Sequence, residues 1–112
     1  MSNLKPQIIQ IVKQIPENKV MYFGQIGQKL GVSGQVIGWI LSGMSQTEWD
    51  LCPWYRVVAK NGFISSLKLG AKGLIQKTLL EEEGYNIIGD CVDMHKHLWV
   101  EDNLDNVDSL FD

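Results

Sequence analysis

Four residues near the end of the chain carry side chains that could bind a metal ion. They are Cys91, Asp93, His95 and His97. Alternate residues of a strand share one face, and cysteine and histidine are common zinc ligands. One cluster with this irregular spacing is a weak signal, however, and a polar strand or loop is the favoured interpretation. We therefore expect no metal, and Asp90 with Asp93 does not form the pattern of a paired-carboxylate active site.

A second candidate for chemistry is the run Pro53-Trp54-Tyr55-Arg56-Val57, which follows Cys52. A thiolate can accept an alkyl group, whereas the carbon skeleton of an indole cannot. Cys52 and Cys91 are too few for a disulfide framework, so both are expected to be free thiols of a cytosolic protein.

Length and composition predict one small domain. The chain has 112 residues, enough for a small core. No apolar run approaches the length that crosses a bilayer, and the first residues lack the pattern of a signal peptide. We expect no membrane partner.

The net charge of −3 at first argues against a nucleic-acid partner, but the charges are unevenly distributed. Residues 1–80 contain nine lysine and arginine residues and only three acidic ones. The acidic residues concentrate in residues 81–83 and in residues 101–112. A locally basic body can bind phosphates while the acidic part lies elsewhere, although charge alone favours an ordinary solvated surface.

The elements that must position these residues begin with three helices. Helical spacing of apolar residues predicts a helix over residues 4–15. A second helix is predicted over residues 24–30 with Gly31 as its stop, and Ser33 caps a third that ends near Gly43. Helix, glycine-containing turn, helix is the outline of a helix-turn-helix motif.

A hairpin is predicted next. Residues 55–59 and 63–66 have strand composition, and Lys60-Asn61-Gly62 between them is typical of a tight turn. A hairpin after a helix-turn-helix is a wing. The predicted fold class is therefore α+β and mostly helical: a winged helix-turn-helix domain with a small β-hairpin wing.

Residues 70–84 return to helical spacing and end in Glu81-Glu82-Glu83. Three acids at a helix C-terminus oppose the helix dipole, which indicates a purpose beyond helix stability. Residues 86–100 are ambiguous and are expected to be extended. We expect the domain to span residues 1–100, and residues 101–112 to form an acidic, loosely ordered tail.

Together these segments resemble the DNA-binding domain of the alkylguanine-DNA alkyltransferases. The run at residues 53–57 matches the active-site motif Pro-Cys-His-Arg-Val, with Trp54 in place of the reactive cysteine, as in the alkyltransferase-like proteins. The resemblance extends from about Val20 to Gly84. The other matching segments are residues 20–26, 35–39, 61–65, 76–77 and 80–84.

The resemblance implies how the protein would act. Members dock a helix-turn-helix on the minor groove, rotate a damaged guanine out of the stack and hold it in a pocket, at a cost of unstacking. The residues that the resemblance places at the lesion pocket are Pro53, Trp54, Tyr55 and Arg56. The indole of Trp54 would offer apolar area and a π face to an O6-alkyl group. An ordinary core role for Trp54 is the alternative.

The resemblance places the DNA-binding and base-flipping residues at Tyr22, Phe23, Gln35 and Gly38. Two of them depart from the family. Phe23 stands where the family carries a tyrosine that acts on a phosphate, and it has no hydroxyl to donate. Gln35 stands where the family carries an arginine finger, and it brings no charge. Gly38 is expected to allow close approach of the recognition helix to the DNA backbone.

The pocket motif departs from the family as well. The family's histidine, which activates the cysteine through a water, is Tyr55 here. Arg56 is retained, and could structure the turn or form only a surface salt bridge. Cys52 precedes Pro53, whereas the motif requires the nucleophile after it, so we expect Cys52 to be structural.

We therefore expect a non-enzymatic DNA-binding protein, without cofactors, that recognises O6-alkylguanine damage by nucleotide flipping and flags it for repair. Its expected partners are double-stranded DNA containing alkylated guanine and nucleotide excision repair proteins. We expect a monomer located in the cytoplasm, associated with the nucleoid, or in the nucleus. Two alternatives stay open: a winged-helix DNA-binding module without lesion preference, and a protein-interaction adaptor that has lost DNA affinity.

Overall fold

A computed structural model of the chain describes residues 4–65 and 70–100. The expected acidic tail at residues 101–112, and Ser66 at the end of the expected hairpin, lie outside these residues. The described elements are, in order, α1 (Leu4–Lys13), β1 (Met21–Tyr22), α2 (Phe23–Leu30), α3 (Gly34–Ser42), α4 (Gln46–Trp49), a 3₁₀ turn (Trp54–Arg56), β2 (Val57–Val58), α5 (Ala71–Glu82), β3 (Ile87–Ile88), β4 (Cys91–Val92) and α6 (Met94–His97).

Helices α1, α2, α3 and α5 lie where the spacing of apolar residues predicts them, whereas the short helices α4 and α6 were not predicted. The expectation that residues 86–100 are extended is wrong for residues 94–97, because the Asp93 side chain begins a helical turn there.

The ends of the longer helices follow from local chemistry. Gly31 ends α2 in the left-handed region at φ 78°, a conformation that glycine adopts without steric cost. The hydroxyl of Ser33 begins α3 by accepting a hydrogen bond from the Val36 amide at 3.4 Å. The α+β, mostly helical fold class with its helix-turn-helix is confirmed.

The expected hairpin differs in its pairing. The turn at Lys60-Asn61-Gly62 forms, because the Gly62 amide donates to the Ala59 carbonyl at 2.8 Å. The preceding strand does not pair across it: Val57–Val58 runs parallel to Met21–Tyr22 instead. Phe63 forms an isolated antiparallel bridge with Cys91. For the described residues, the prediction of residues 55–59 and 63–66 as two paired strands is wrong: Tyr55 and Arg56 form a 3₁₀ turn, and Val57–Val58 takes its partner from elsewhere in the chain. The two segments are still joined across the turn, because the Ala59 amide donates to the Phe63 carbonyl at 3.0 Å.

The short parallel pair β1–β2 separates two hydrophobic cores. Met21 and Val57, which lie opposite each other, belong to a first core with α1, α2 and α3. Val58 and Val20 belong to a second core, together with Leu80 of α5. Successive residues of a strand point to opposite faces, so the pair is buried on both sides, as parallel strands usually are.

The C-terminal part of the described chain closes the second core. Strands β3 and β4 form a small antiparallel pair, with Ile87 opposite Val92. Beyond α6, Leu98 forms a parallel bridge with Val20, and the Trp99 amide donates to the Val20 carbonyl at 2.8 Å. Within the described ranges, we find no helix whose length and apolar character would let it cross a bilayer.

Two glycines let α2 and the turn after it pack closely on α3. A Cβ atom added at Gly27 would collide with the carbonyl oxygen of Val32, and one at Gly34 would lie 2.9 Å from the amide nitrogen of Gly24. In both places the neighbour is main chain, which cannot rotate away. A Cβ atom on Gly38, by contrast, would lie 3.9 Å from the ring of Phe23, an ordinary contact.

This difference predicts opposite effects of one substitution at two helical glycines. Gly27→Ala should lower the free energy of unfolding by about 1–3 kcal/mol, because the main chain must shift to admit the methyl group. Gly38→Ala should leave it unchanged or raise it by up to about 1 kcal/mol, because alanine favours the helix. Denaturant unfolding followed by circular dichroism measures both. Equal destabilisation by the two substitutions would contradict the packing described.

Candidate nucleic-acid interface

The 3₁₀ turn Trp54–Arg56 lies between the two cores. It is closed by the Arg56 amide, which donates to the Pro53 carbonyl at 2.9 Å, and it leads directly into β2. Trp54 packs against the first core, on the side of the helix-turn-helix. Tyr55 packs against the second core, on the side of α5. Consecutive residues of the motif thus face different parts of the domain.

Trp54 is a half-buried residue held between other aromatic rings. Its indole stacks on that of Trp49, with ring centroids 4.6 Å apart and planes inclined by 21°. Tyr55 meets it edge-on, at 6.0 Å and 86°. Both geometries are favourable for aromatic pairs. The indole of Trp54 is therefore held in a defined plane.

A concavity lies beside this aromatic pair. Its volume is about 410 Å³ and it opens to solvent. The residues that line it are Trp49, Asp50, Leu51, Cys52, Pro53 and Tyr55. Pro53 and Tyr55, two of the four residues expected at a pocket, thus border a cavity. Trp54 and Arg56, the other two, are not among the residues that line it.

Arg56 is directed into the protein rather than towards solvent. Its guanidinium forms an ion pair with Glu83 at 2.9 Å, and its Nε also donates to that carboxylate at 3.2 Å. Its Nη1 donates to the Ile15 carbonyl at 2.9 Å. Burial lowers the pKa of Arg56, but the hydrogen bonds to Glu83 and the charge interactions with Tyr85, Glu83 and Tyr55 together outweigh burial, so the pKa is raised. Arg56 thus ties the turn to Ile15, just after α1, and to Glu83, which caps the end of α5, so this pair is more than a surface salt bridge.

Tyr55 shares the same carboxylate. Its hydroxyl donates to Glu83 at 2.6 Å. Burial, followed by this hydrogen bond, raises the pKa of Tyr55, so the hydroxyl stays protonated near neutral pH. The Arg56 guanidinium also lies 5.5 Å from the centre of the Tyr55 ring. Tyr55 is therefore a fixed donor.

A second residue of α5 holds the main chain of the turn. The side-chain amide of Gln76 donates, through Nε2, to the backbone carbonyls of Tyr55 and Val57, both at 3.0 Å. Gln76 is almost fully buried. Since Gln76 and Glu83 lie seven residues apart, they share one face of α5. That face fixes both the backbone and the side chains of the turn.

Cys52 points into the first core, where it is only 8% exposed. Burial raises the pKa of its thiol, against a smaller opposing effect of Lys13. The reactive thiolate is therefore disfavoured at neutral pH. Cys91, on β4, is half-buried.

The residues expected to bind DNA lie at the beginnings of α2 and α3. Tyr22 precedes α2, and its amide donates to the Gln25 side chain at 2.9 Å. Phe23 begins α2 and packs partly against the first core, with Gly38 of α3 beside its ring. Gln35 is exposed on the first turn of α3. These four residues lie on the helix-turn-helix, and Trp54 packs against the same core.

Two of the four residues considered as metal ligands, Asp93 and His97, have other partners. Both ring nitrogens of His97 are engaged, since Nε2 accepts from the Asn86 amide at 3.0 Å and Nδ1 lies 2.8 Å from the Asn18 carbonyl. This arrangement requires the proton on Nδ1. Asp93 begins α6 by accepting from the His95 amide at 3.0 Å. Among the described residues there is no cluster that could hold a metal ion.

Three residues of this region were not singled out as site residues from the sequence: Trp49, Gln76 and Glu83. The unfavourable run of acids at the end of α5 was the signal for Glu83, because its charge is balanced by Arg56. Gln76 lies in one of the segments that carry the resemblance, residues 76–77, but its side chain could be assigned no role from the sequence. Nothing in the spacing of Trp49 indicated that it would contact Trp54.

Comparisons with known proteins agree with this architecture. Residues 3–85 match the family described as "6-O-methylguanine DNA methyltransferase, DNA binding domain". A "DNA base-flipping protein" of Vibrio parahaemolyticus is 34% identical over 98 residues, which cover 83% of this chain and 92% of that protein. A methylated-DNA–protein-cysteine methyltransferase of Saccharolobus solfataricus is 38% identical over 76 residues, and the chain matches only 47% of its length.

A solved structure extends the likeness to nearly the whole chain. S. pombe Atl1, crystallised in complex with damaged DNA containing O6-carboxymethylguanine, superposes with a TM-score of 0.79 at 25% identity. The match covers 90% of this chain and 98% of Atl1. From the helix-turn-helix, the motif turn and these matches together, we conclude that the chain belongs to the family of the 6-O-methylguanine DNA methyltransferase DNA-binding domain.

Proposed function

We propose that this protein binds double-stranded DNA, receives a flipped O6-alkylguanine beside Trp54, and transfers nothing. The observation that carries the proposal is the identity and setting of Trp54. It occupies the position at which the family motif has its alkyl-accepting cysteine, and stacking on Trp49 at 4.6 Å holds its ring in place. A fixed indole offers a flat apolar surface to a base but no nucleophile.

The neighbours of Trp54 support a non-catalytic role. Transfer to a thiol requires a thiolate and a base to generate it. Tyr55 stands where the family motif has histidine, and its hydroxyl donates to Glu83 at 2.6 Å, so it does not act as a base. Cys52 is buried and its pKa is raised. No neighbouring residue of the turn replaces the missing nucleophile.

The expected DNA-binding residues on α2 and α3 carry less positive charge than those of the family motif, but they can still contact DNA. Atl1, which was crystallised in complex with damaged DNA, superposes on 90% of this chain with a TM-score of 0.79. Gln35 is exposed at the start of α3, where it can enter a groove. Phe23 is partly packed against the first core, so only part of its ring could act as a wedge.

A lesion that is bound but not repaired must be removed by other proteins. We therefore propose that the complex marks O6-alkylguanine for nucleotide excision repair, and that the protein acts as a monomer without cofactors. A DNA-binding module without lesion preference and an adaptor without DNA affinity remain the two competing functions. The binding experiment below separates all three.

Titration of the protein with labelled duplexes tests lesion recognition. A duplex containing one O6-methylguanine should bind more tightly than the same unmodified duplex. Trp54→Ala should reduce this ratio by about tenfold, the scale of one base–aromatic contact. Leu74→Ala, at an exposed position of α5, is the control and should leave the ratio unchanged. Equal affinity of the unaltered protein for both duplexes would indicate a module without lesion preference, and no binding at low salt would indicate an adaptor.

The absence of alkyl transfer is tested with O6-benzylguanine. After incubation, mass spectrometry should find no benzyl group on Cys52. The thiol is buried, its pKa is raised, and the motif turn supplies no base to deprotonate it. For the same reason, iodoacetamide at pH 7.5 should modify Cys52 faster in the unfolded chain than in the folded protein. A benzyl adduct on Cys52 would overturn the non-enzymatic assignment.

Restoring the family's charge at Gln35 tests the DNA-binding face. Gln35→Arg should raise the affinity for any duplex by about three- to tenfold at low salt, because one more phosphate contact becomes available. The logarithmic dependence of affinity on salt should steepen by about one unit. Gln10→Arg on α1 adds the same charge on another helix and is the matched control. If both substitutions raise affinity equally, the start of α3 is not the DNA-binding site.

A further inference from the structure

The short helix α4 (Gln46–Trp49) is held by polar contacts rather than by burial. None of its four residues is fully buried. Ser45 and Glu48 bond reciprocally, with the Ser45 amide donating at 2.8 Å and the Ser45 hydroxyl accepting at 3.2 Å. Lys5 of α1 forms an ion pair with Glu48 at 3.0 Å, and Gln46 donates to Asp50 at 2.9 Å. These contacts fix the position of a helix that contributes little to the core.

What α4 places against the rest of the domain is the indole of Trp49. One face of that indole stacks on Trp54, with centroids 4.6 Å apart. Its Nε1–H donates to the carbonyl of Leu41, near the end of α3, at 2.9 Å. A stack fixes the plane of a ring, and a hydrogen bond in that plane fixes its rotation. Trp49 therefore has a defined orientation, and by stacking on Trp54 it also fixes the plane of that ring.

We propose that Trp49 is a positioning residue for Trp54, and that it sets the selectivity of the pocket for alkylated guanine. The inference rests on the proposed function. Trp49 covers one face of the Trp54 indole, and the ring of Tyr55 meets that indole at 86°. A ligand that stacks on Trp54 would therefore have to use the opposite face. An indole free to rotate would present that face only part of the time, and binding would be weaker in proportion.

The same contact connects the pocket to the recognition helix. The carbonyl of Leu41 belongs to α3, so Trp49 joins the last turn of α3 to the ring of Trp54. The hydrogen bond to Leu41 thus orients Trp49, and the stack holds the plane of Trp54. The flat ring of Trp49, rather than its volume alone, is the part that carries this role.

Two apolar substitutions separate a flat ring from mere volume. Trp49→Leu fills space without a flat face, whereas Trp49→Phe keeps an aromatic ring against Trp54. The ratio of affinities for O6-methylguanine and unmodified duplexes should fall about five- to tenfold in Trp49→Leu, the scale of one lost aromatic contact. Trp49→Phe should retain at least about half of the unaltered ratio. Affinity for unmodified duplex should change little in either variant.

Circular dichroism provides an independent readout of the stack. Two closely stacked indoles couple and give paired bands of opposite sign in the ultraviolet, and both variants at Trp49 should lose them. Trp39→Phe is the control, because it removes an indole that is 64% exposed and outside the stack, and it should keep the bands. Thermal unfolding of all variants establishes that they are folded under the binding conditions.

The outcomes distinguish this proposal from the one on which it rests. A ratio near one for the unaltered protein would overturn the proposed function, and the role of Trp49 with it. A high ratio that Trp49→Leu leaves unchanged would overturn the positioning role alone. Equal losses in Trp49→Leu and Trp49→Phe would also overturn it, because they would indicate general packing. Loss in Trp49→Leu with rescue by Trp49→Phe supports it.

Discussion

The carboxylate of Glu83 is the group on which the motif turn depends. It accepts from the hydroxyl of Tyr55 and from two nitrogens of Arg56, so its charge is satisfied although it is partly shielded from water. A partly buried charge of this kind is costly once a partner is lost, which makes the three residues a unit. With Gln76 holding the main chain, α5 fixes the turn from one side, and the aromatic ring of Trp49 meets it from the other. The side chains of Trp54, Tyr55 and Arg56 are therefore held in place by the fold itself.

Local signals were sufficient for much of the fold but not for the contacts between elements. Gly31 ends α2 in a left-handed conformation, and the hydroxyl of Ser33 caps the start of α3. The Asn-Gly turn also formed. The strand at Val57–Val58 was correctly seen as a strand, yet its partner is Met21–Tyr22, more than thirty residues earlier, and turn chemistry carries no information about such a partner. The motif around Trp54 could be recognised because it depends on the order of residues along the chain. The contact between Trp49 and Trp54 could not, because it depends on their distance in space.

Under the proposed function, an indole at the position of the alkyl acceptor changes what the surrounding residues must do. A nucleophile needs a base and a proton path, whereas a binding surface needs rigidity and shape. Tyr55, fixed between Glu83 and the second core, contributes to rigidity, and buried Cys52 contributes to the first core. The stack of Trp49 on Trp54 adds area without adding reactivity. Each of these features is consistent with a site that binds a nucleobase without reacting with it.

The close approach of α2 and α3 through glycine has a consequence for how such a protein can evolve. Gly27 and Gly34 set the angle of the helix-turn-helix by contacts between main-chain atoms, in which no side chain takes part. The exposed residue Gln35 on α3 is not among those contacts, so it can be exchanged by mutation without moving the helix that carries it. Natural selection can thus change the side chain at position 35 while the arrangement of the two helices stays the same.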